Sequence, residues 1–142
     1  MALILDASAA LAWLVDRIDP DEARLANAAL RIIQAGSAVV PALWFPEVVN
    51  GMLLAERRGV IGISTSASFI GLVSTLPIEE DRTRPSDVYG TVLTLARAYG
   101  LTAYDATYLE LVLRNGGVLA TFDRQLADAT RKAGGRVFGD VA

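Results

Sequence analysis

The sequence predicts an α/β domain, a three-layer α/β/α sandwich with a central, mostly parallel sheet. Three observations carry that expectation. Short apolar runs such as ALIL, AVV and GVLA lack polar alternation, as strands covered on both faces do. These runs alternate along the chain with segments of helical character, some of them in pairs. Hydrophobic residues make up 53% of the 142, which suits one domain with a full core, and no linker, repeat or low-complexity tract divides residues 1–142.

The elements follow in order. Ala2 to Leu5 reads as a buried strand with Asp6 at its C-terminal end. SAALAWLV reads as a helix with Ser8 available to cap it, and Asp19, Pro20 and Asp21 then punctuate the chain. A second helix runs from about Glu22 to Gln34 and stops at Gly36. AVV is a strand ended by Pro41. Leu43 to Arg58 reads as a long helix closed by Gly59, with Pro46 tolerable only in the first turn, where a missing amide hydrogen costs little. Thr65 to Thr75 is a helix and LPIE a third strand. Pro85 to Tyr99 and Thr102 to Arg114 are helices, stopped by Gly100 and by Asn115, Gly116 and Gly117. GVLATFD repeats the opening pattern, an apolar strand running into a carboxylate; Arg124 to Ala133 is a helix, and RVF a last strand after the Gly134-Gly135 turn.

Composition excludes several chemistries. The chain has no Cys and no His, so it holds no disulfide, thiolate site, imidazole base or histidine metal ligand. Chemistry must run on carboxylates, hydroxyls, amides, Lys and Arg, and carboxylates select hard cations such as magnesium or manganese. A formal charge of -3 argues against coating nucleic acid by charge alone. Locally the C-terminal stretch differs, because Arg114, Arg124, Arg131, Lys132 and Arg136 outnumber Asp123 and Asp128 and suggest a basic rim. The absence of Cys and of a basic leader fits a cytoplasmic protein. Residues 59–78 carry no charge and reach membrane-spanning length, but GISTSAS and a proline make them too polar for lipid; a loop and a buried helix are expected.

Four carboxylates stand out. Asp6 and Asp123 follow strand ends, where functional groups gather in open α/β sheets. Glu47 sits in the first turns of its helix, with Asn50 one turn on. Asp105 opens the apolar run AYDATYLELVL, where a carboxylate must be paired, hydrogen-bonded or bound to a cation. Each acid also has a local explanation: Asp6 and Asp123 as N-caps, Glu47 as a first-turn acid favoured by the helix dipole, Asp105 as half of a capping box with Thr102. If the four converge, their repulsion calls for a cation, and one or two magnesium or manganese ions fit. Ser8, Asn50 and Thr121 are neutral groups suited to holding metal-bound water, or equally to local capping. The apolar stripe of Trp13, Trp44 and Phe45 reads as core.

DASAALAWL, FPEVVN, LTAYDATYLELVL and LATFDRQLADA, in this order and spacing, resemble the PIN-domain family, and within it the VapC-type toxins of toxin-antitoxin pairs. The likeness runs from Leu3 to about Phe138. It implies a doubly wound PIN-like fold and a magnesium- or manganese-dependent endoribonuclease that hydrolyses RNA phosphodiester bonds. The resemblance puts the family's four acids at Asp6, Glu47, Asp105 and Asp123, with Asp6 and Asp105 the firmest ligands, and its accessory polar positions at Ser8, Asn50 and Thr121. It implies a homodimer and a VapB-type antitoxin that blocks the cleft. Two other functions compete with this reading. A phosphatase of the haloacid dehalogenase type, with Asp6 as nucleophile, wants a second Asp where Ser8 stands. A non-catalytic α/β binding module would use the same acids as caps or as contacts to a partner's arginine.

Overall fold

The computed structural model describes residues 2–140. Its elements run β1 (Leu3–Leu5), α1 (Ala7–Leu11), α2 (Pro20–Ala35), β2 (Ala38–Val40), α3 (Trp44–Arg57), α4 (Ile63–Ser74), β3 (Ile78–Glu80), α5 (Pro85–Tyr99), α6 (Ala103–Asn115), β4 (Val118–Ala120), α7 (Arg124–Lys132) and β5 (Arg136–Val137). The five strands form one sheet in the order β3-β2-β1-β4-β5, and every pairing is parallel. Helices cover it to give the expected three-layer α/β/α sandwich.

The strand order explains where function can sit. From β1 the chain winds outward through β2 to β3, then returns to lay β4 on the other side of β1. The order therefore reverses between β1 and β4, and a crevice opens beyond their C-terminal ends. Leu5 is registered with Ala120, and the Asp6 amide donates to the Ala120 carbonyl, so Asp6 and Thr121 leave the sheet side by side. The central strands are apolar throughout because both faces are covered; Ile4, Leu5 and Leu119 are fully buried. Gly117, which leads into β4, lies so close to the Ala2 carbonyl that an added Cβ would come within 2.5 Å of it. Only glycine lets β4 approach β1 at that point.

Two helices differ from the sequence expectation. The first is short: α1 ends at Leu11, and turns centred on Ala12 to Leu14 replace the rest of the expected SAALAWLV helix. Trp13 leaves the helical path to donate its indole N–H to the Ala26 carbonyl at 2.9 Å. The second is α4, which is not a buried helix: only Ser66 and Phe69 are buried, while Ile63 and Ile70 are exposed. Its apolar residues and those of α3 line a surface groove of about 500 Å³ instead. No helix among the described residues is long and apolar enough to cross a membrane. Within the Trp13, Trp44 and Phe45 stripe, Trp44 is core, whereas Phe45 is 43% exposed and meets Trp44 edge to face.

Pro46 occupies the third position of α3, after the N-cap Leu43. The first helical hydrogen bond is donated by Glu47 to the Leu43 carbonyl, one residue later, so the proline breaks nothing. On the same helix Gly51 faces α1, and a Cβ there would collide with the Leu11 side chain. This close approach brings α1, with Ser8, against α3, with Glu47.

Candidate active site

The site forms where β1, β4, α3 and α6 bring their ends together. Asp6 is at the N-cap position of α1, yet its side chain caps nothing. Instead Oδ2 accepts two hydroxyl hydrogen bonds, from Ser8 at 2.6 Å and from Thr121 at 2.7 Å. Neither falls on Oδ1. Ser8, expected as a helix cap, lies inside α1 and serves Asp6; its oxygen also accepts the Phe122 amide at 3.0 Å. Thr121 accepts the Asp123 amide at 2.9 Å, so one hydroxyl ties the two strand-end acids together. The Thr121–Asp6 and Phe122–Ser8 contacts span more than a hundred residues of chain, which a local capping role does not require.

Asp123 does cap α7, accepting the Leu126 amide on Oδ1 at 3.1 Å. Thr102 caps α6 by accepting the Asp105 amide, which is half of a capping box. The Asp105 carboxylate does not complete the box, and among the described residues no hydrogen bond or salt bridge involves it. Glu47 lies in the first turn of α3 but is engaged at long range, by the Tyr108 hydroxyl at 2.6 Å. Tyr108 is fully buried and lies on the same face of α6 as Asp105. Its role was missed in the sequence, where it was legible only as an apolar-face neighbour of Asp105. Asn50 is exposed on α3, and no side-chain hydrogen bond of its own appears among the described residues.

The electrostatics connect the four acids. Burial pushes the Asp6 carboxyl up; the Ser8 and Thr121 hydroxyls oppose this, and the charge of Asp123 adds to it. Burial also raises Glu47, against the Tyr108 hydrogen bond and with the charges of Asp6 and Asp105. Asp105 is pushed up to about 6 by burial and then by the charges of Asp123 and Asp6. Among the described residues no three acids close to the spacing of ligands on a single ion. The four carboxylates are near enough to repel one another but do not close on a single point.

The comparisons with known proteins bear on what such an arrangement belongs to. Residues 3–132 match the PIN domain. The chain belongs to the PIN-domain family. Ribonuclease VapC3 of Pyrobaculum aerophilum is 31% identical over 132 residues, covering 90% of this chain and 94% of that protein, which places the chain with the VapC-type members. The crystal structure of PAE2754 from the same organism superposes with a TM-score of 0.70 at 25% identity, covering 96% of this chain and 83% of that one. FitAcB from Neisseria gonorrhoeae gives a TM-score of 0.62 at 17% identity, with 96% of each chain covered, a likeness of fold.

The basic rim expected from the C-terminal stretch is largely committed to structure. Arg114 pairs with Glu110 and Asp81, Arg131 with Asp128 and Asp140, and Arg136 donates to the Gly116 carbonyl.

Proposed function

We propose that this chain is a magnesium- or manganese-dependent endoribonuclease, the toxin of a type II toxin-antitoxin pair, and that Asp6, Glu47, Asp105 and Asp123 form its metal site. One observation carries the reading. Four carboxylates from four separate elements lie near enough to couple electrostatically at the switch point of the sheet, and among the described residues no Lys or Arg pairs with any of them. An all-oxygen, all-anionic donor set of this kind fits a hard divalent cation and little else. Its spread is consistent with ligands that close on an ion or reach it through water.

In this reading Asp6 and Asp105 are the direct ligands, and Glu47 and Asp123 hold the outer positions. Ser8 and Thr121 fix Asp6 by the one oxygen Oδ2 and leave Oδ1 without a side-chain partner among the described residues. Tyr108 does the same for Glu47, accepted on Oε1. Asn50 is assigned to the same polar shell. A bound divalent ion supplies Lewis-acid polarisation of the scissile phosphate and a water of lowered pKa. Glu47 and Asp123, in the outer positions, would orient an attacking water, and no histidine is needed. VapC3 carries the name ribonuclease, and from that relationship we assign RNA as substrate. From the VapC-type relationship we likewise assign a VapB-type antitoxin as partner, a homodimer as the active assembly and the cytoplasm as location.

The deciding experiment is cleavage of single-stranded RNA by the purified chain in magnesium or manganese. The intact protein is expected to cleave and to stop when the metal is chelated, and Asp6→Asn to be inactive while keeping its helical circular dichroism. Full activity in Asp6→Asn would remove the four-acid mechanism. Metal-independent RNA binding without cleavage would point to a binding module.

A further inference from the structure

Two clefts flank the candidate site. The larger, about 930 Å³, lies between the connection after α1 and helix α3, and Ser8 and Gly51 are in its wall. The smaller, about 360 Å³, is walled by Thr121, Asp123 and the end of β5. Each reaches a residue already tied to the acids: Ser8 binds Asp6, and Thr121 joins Asp6 to Asp123. Glu22 and Arg124 belong to both walls, so they form the ridge between the clefts.

The two ridge residues differ. Glu22 is neutralised by Arg17 at 2.8 Å, and the same Arg17 lies 4.8 Å above the Phe122 ring. Arg124 is exposed, and among the described residues its side chain makes no ion pair or hydrogen bond. Arg114 and Arg131, by contrast, are each held by two acids. Arg124 is also the first residue of α7, the end of a helix where a cation opposes the dipole. An arginine that is unpaired, unfavourably placed for its helix and next in sequence to a carboxylate of the site has no structural explanation among its contacts. It does have the chemistry to hold a phosphate, by the bidentate fork that a guanidinium offers.

We propose that Arg124 is a positioning residue for the substrate: it holds a backbone phosphate of the RNA strand where the strand crosses the ridge beside Asp123, from the larger cleft to the smaller one. This rests on the ribonuclease reading. The strand must bring its own negative charge up to four carboxylates, and a fixed cation on the ridge offsets that repulsion independently of any bound metal.

The test uses a fluorescent single-stranded RNA of mixed sequence, with binding measured in the full-length Asp6→Asn background so that cleavage does not interfere. Adding Arg124→Ala is expected to weaken binding about tenfold and to lower the log-log salt slope by about 0.7, the share of one phosphate on a single strand. Arg124→Lys is expected to recover part of the affinity, and Arg57→Ala, on the exposed last turn of α3, to change neither quantity. In the chain with all four acids, Arg124→Ala is expected to raise KM about tenfold with kcat nearly unchanged, as loss of binding common to ground and transition states does. Unchanged affinity and slope in Arg124→Ala overturn the proposal, as does a loss of kcat with KM constant. If the chain with all four acids cleaves no RNA but the Arg124 effects on binding persist, the nuclease reading falls and the Arg124 contact stands. If the Asp6→Asn parent binds no RNA, both fall.

Discussion

Acids gather at two places on the same edge of the sheet, and the two could hardly be treated more differently. Beyond β1 and β4, Asp6, Glu47, Asp105 and Asp123 lie close together with hydroxyl partners but, among the described residues, no Lys or Arg, and burial and mutual repulsion raise three of them. Beyond β3, Asp81 and the buried Glu110 are tied by one arginine. Arg114 bonds Asp81 at 2.6 Å and Glu110 at 2.7 Å, and also reaches the Thr83 hydroxyl. Burial works to raise Asp81, but the bonds from Arg114 and Thr83 outweigh it and hold that carboxyl below the ordinary range. The same residue type is thus a structural tie where the chain supplies its counter-ion, and a candidate catalytic group where it does not. An acid cluster that a fold leaves unneutralised is kept at a cost, and the cost needs a functional return.

The comparison can be broken in several ways. The largest effect should come from the uncompensated cluster: Asp105→Asn is expected to lower the RNA cleavage rate by about 10³-fold or more, read by single-turnover kinetics with excess enzyme. Asp81→Asn, in the neutralised cluster, should leave cleavage within about threefold. Equal losses at both positions would erase the distinction. Next is stability. Arg114→Ala strands the Glu110 carboxylate in the core and should cost roughly 3 kcal/mol by urea unfolding. A loss under ~0.5 kcal/mol would mean that the tie is ornamental.

A smaller effect concerns pH. A carboxyl raised to about 6 in the folded protein contributes stability that is present while protonated and is lost as pH rises through that value. Metal-free protein should therefore lose about 1 to 2 kcal/mol between roughly pH 4 and pH 7 that Asp105→Asn does not lose, and the mutant-minus-parent difference in unfolding free energy should grow with pH. A difference that is flat over this range would show that neither burial nor the neighbouring charges raise Asp105. The smallest effect is at Tyr108. Tyr108→Phe removes the hydrogen bond that lowers Glu47, so the acidic limb of the pH-rate profile should move to higher pH, with a stability loss of about 1 kcal/mol. An unmoved profile would confine Tyr108 to packing.

The same contrast explains what was legible in the sequence. Strands and helices were, because Gly, Pro and apolar periodicity act locally; the parallel sheet followed from strands without polar alternation. The end of the first helix was not, because Trp13 is drawn off by a carbonyl on α2, a contact that no window of α1 contains. Helix α4 looked buried because it is apolar, but its exposed face is matched by an exposed face on α3, and hydropathy does not say which apolar surface is covered. At the site, the four acids and the hydroxyls of Ser8 and Thr121 could be named from their positions beside strand ends. Whether Asp6 caps a helix or accepts hydroxyls from Ser8 and, across the neighbouring strand, from Thr121 depended on the β1–β4 register. Tyr108 with Glu47, and Arg114 with Asp81, join positions far apart in the chain, and single-sequence reading has no signal for such pairs.

The central claim is that the unneutralised acids exist to hold a divalent cation, and manganese binding tests it without recourse to activity. Titrating Mn²⁺ into the protein, with free ion followed by electron paramagnetic resonance, should show saturable binding that weakens about a hundredfold in Asp105→Asn and is unchanged in Asp81→Asn. Binding that is equally strong in all three proteins, or absent from the parent, would contradict the account.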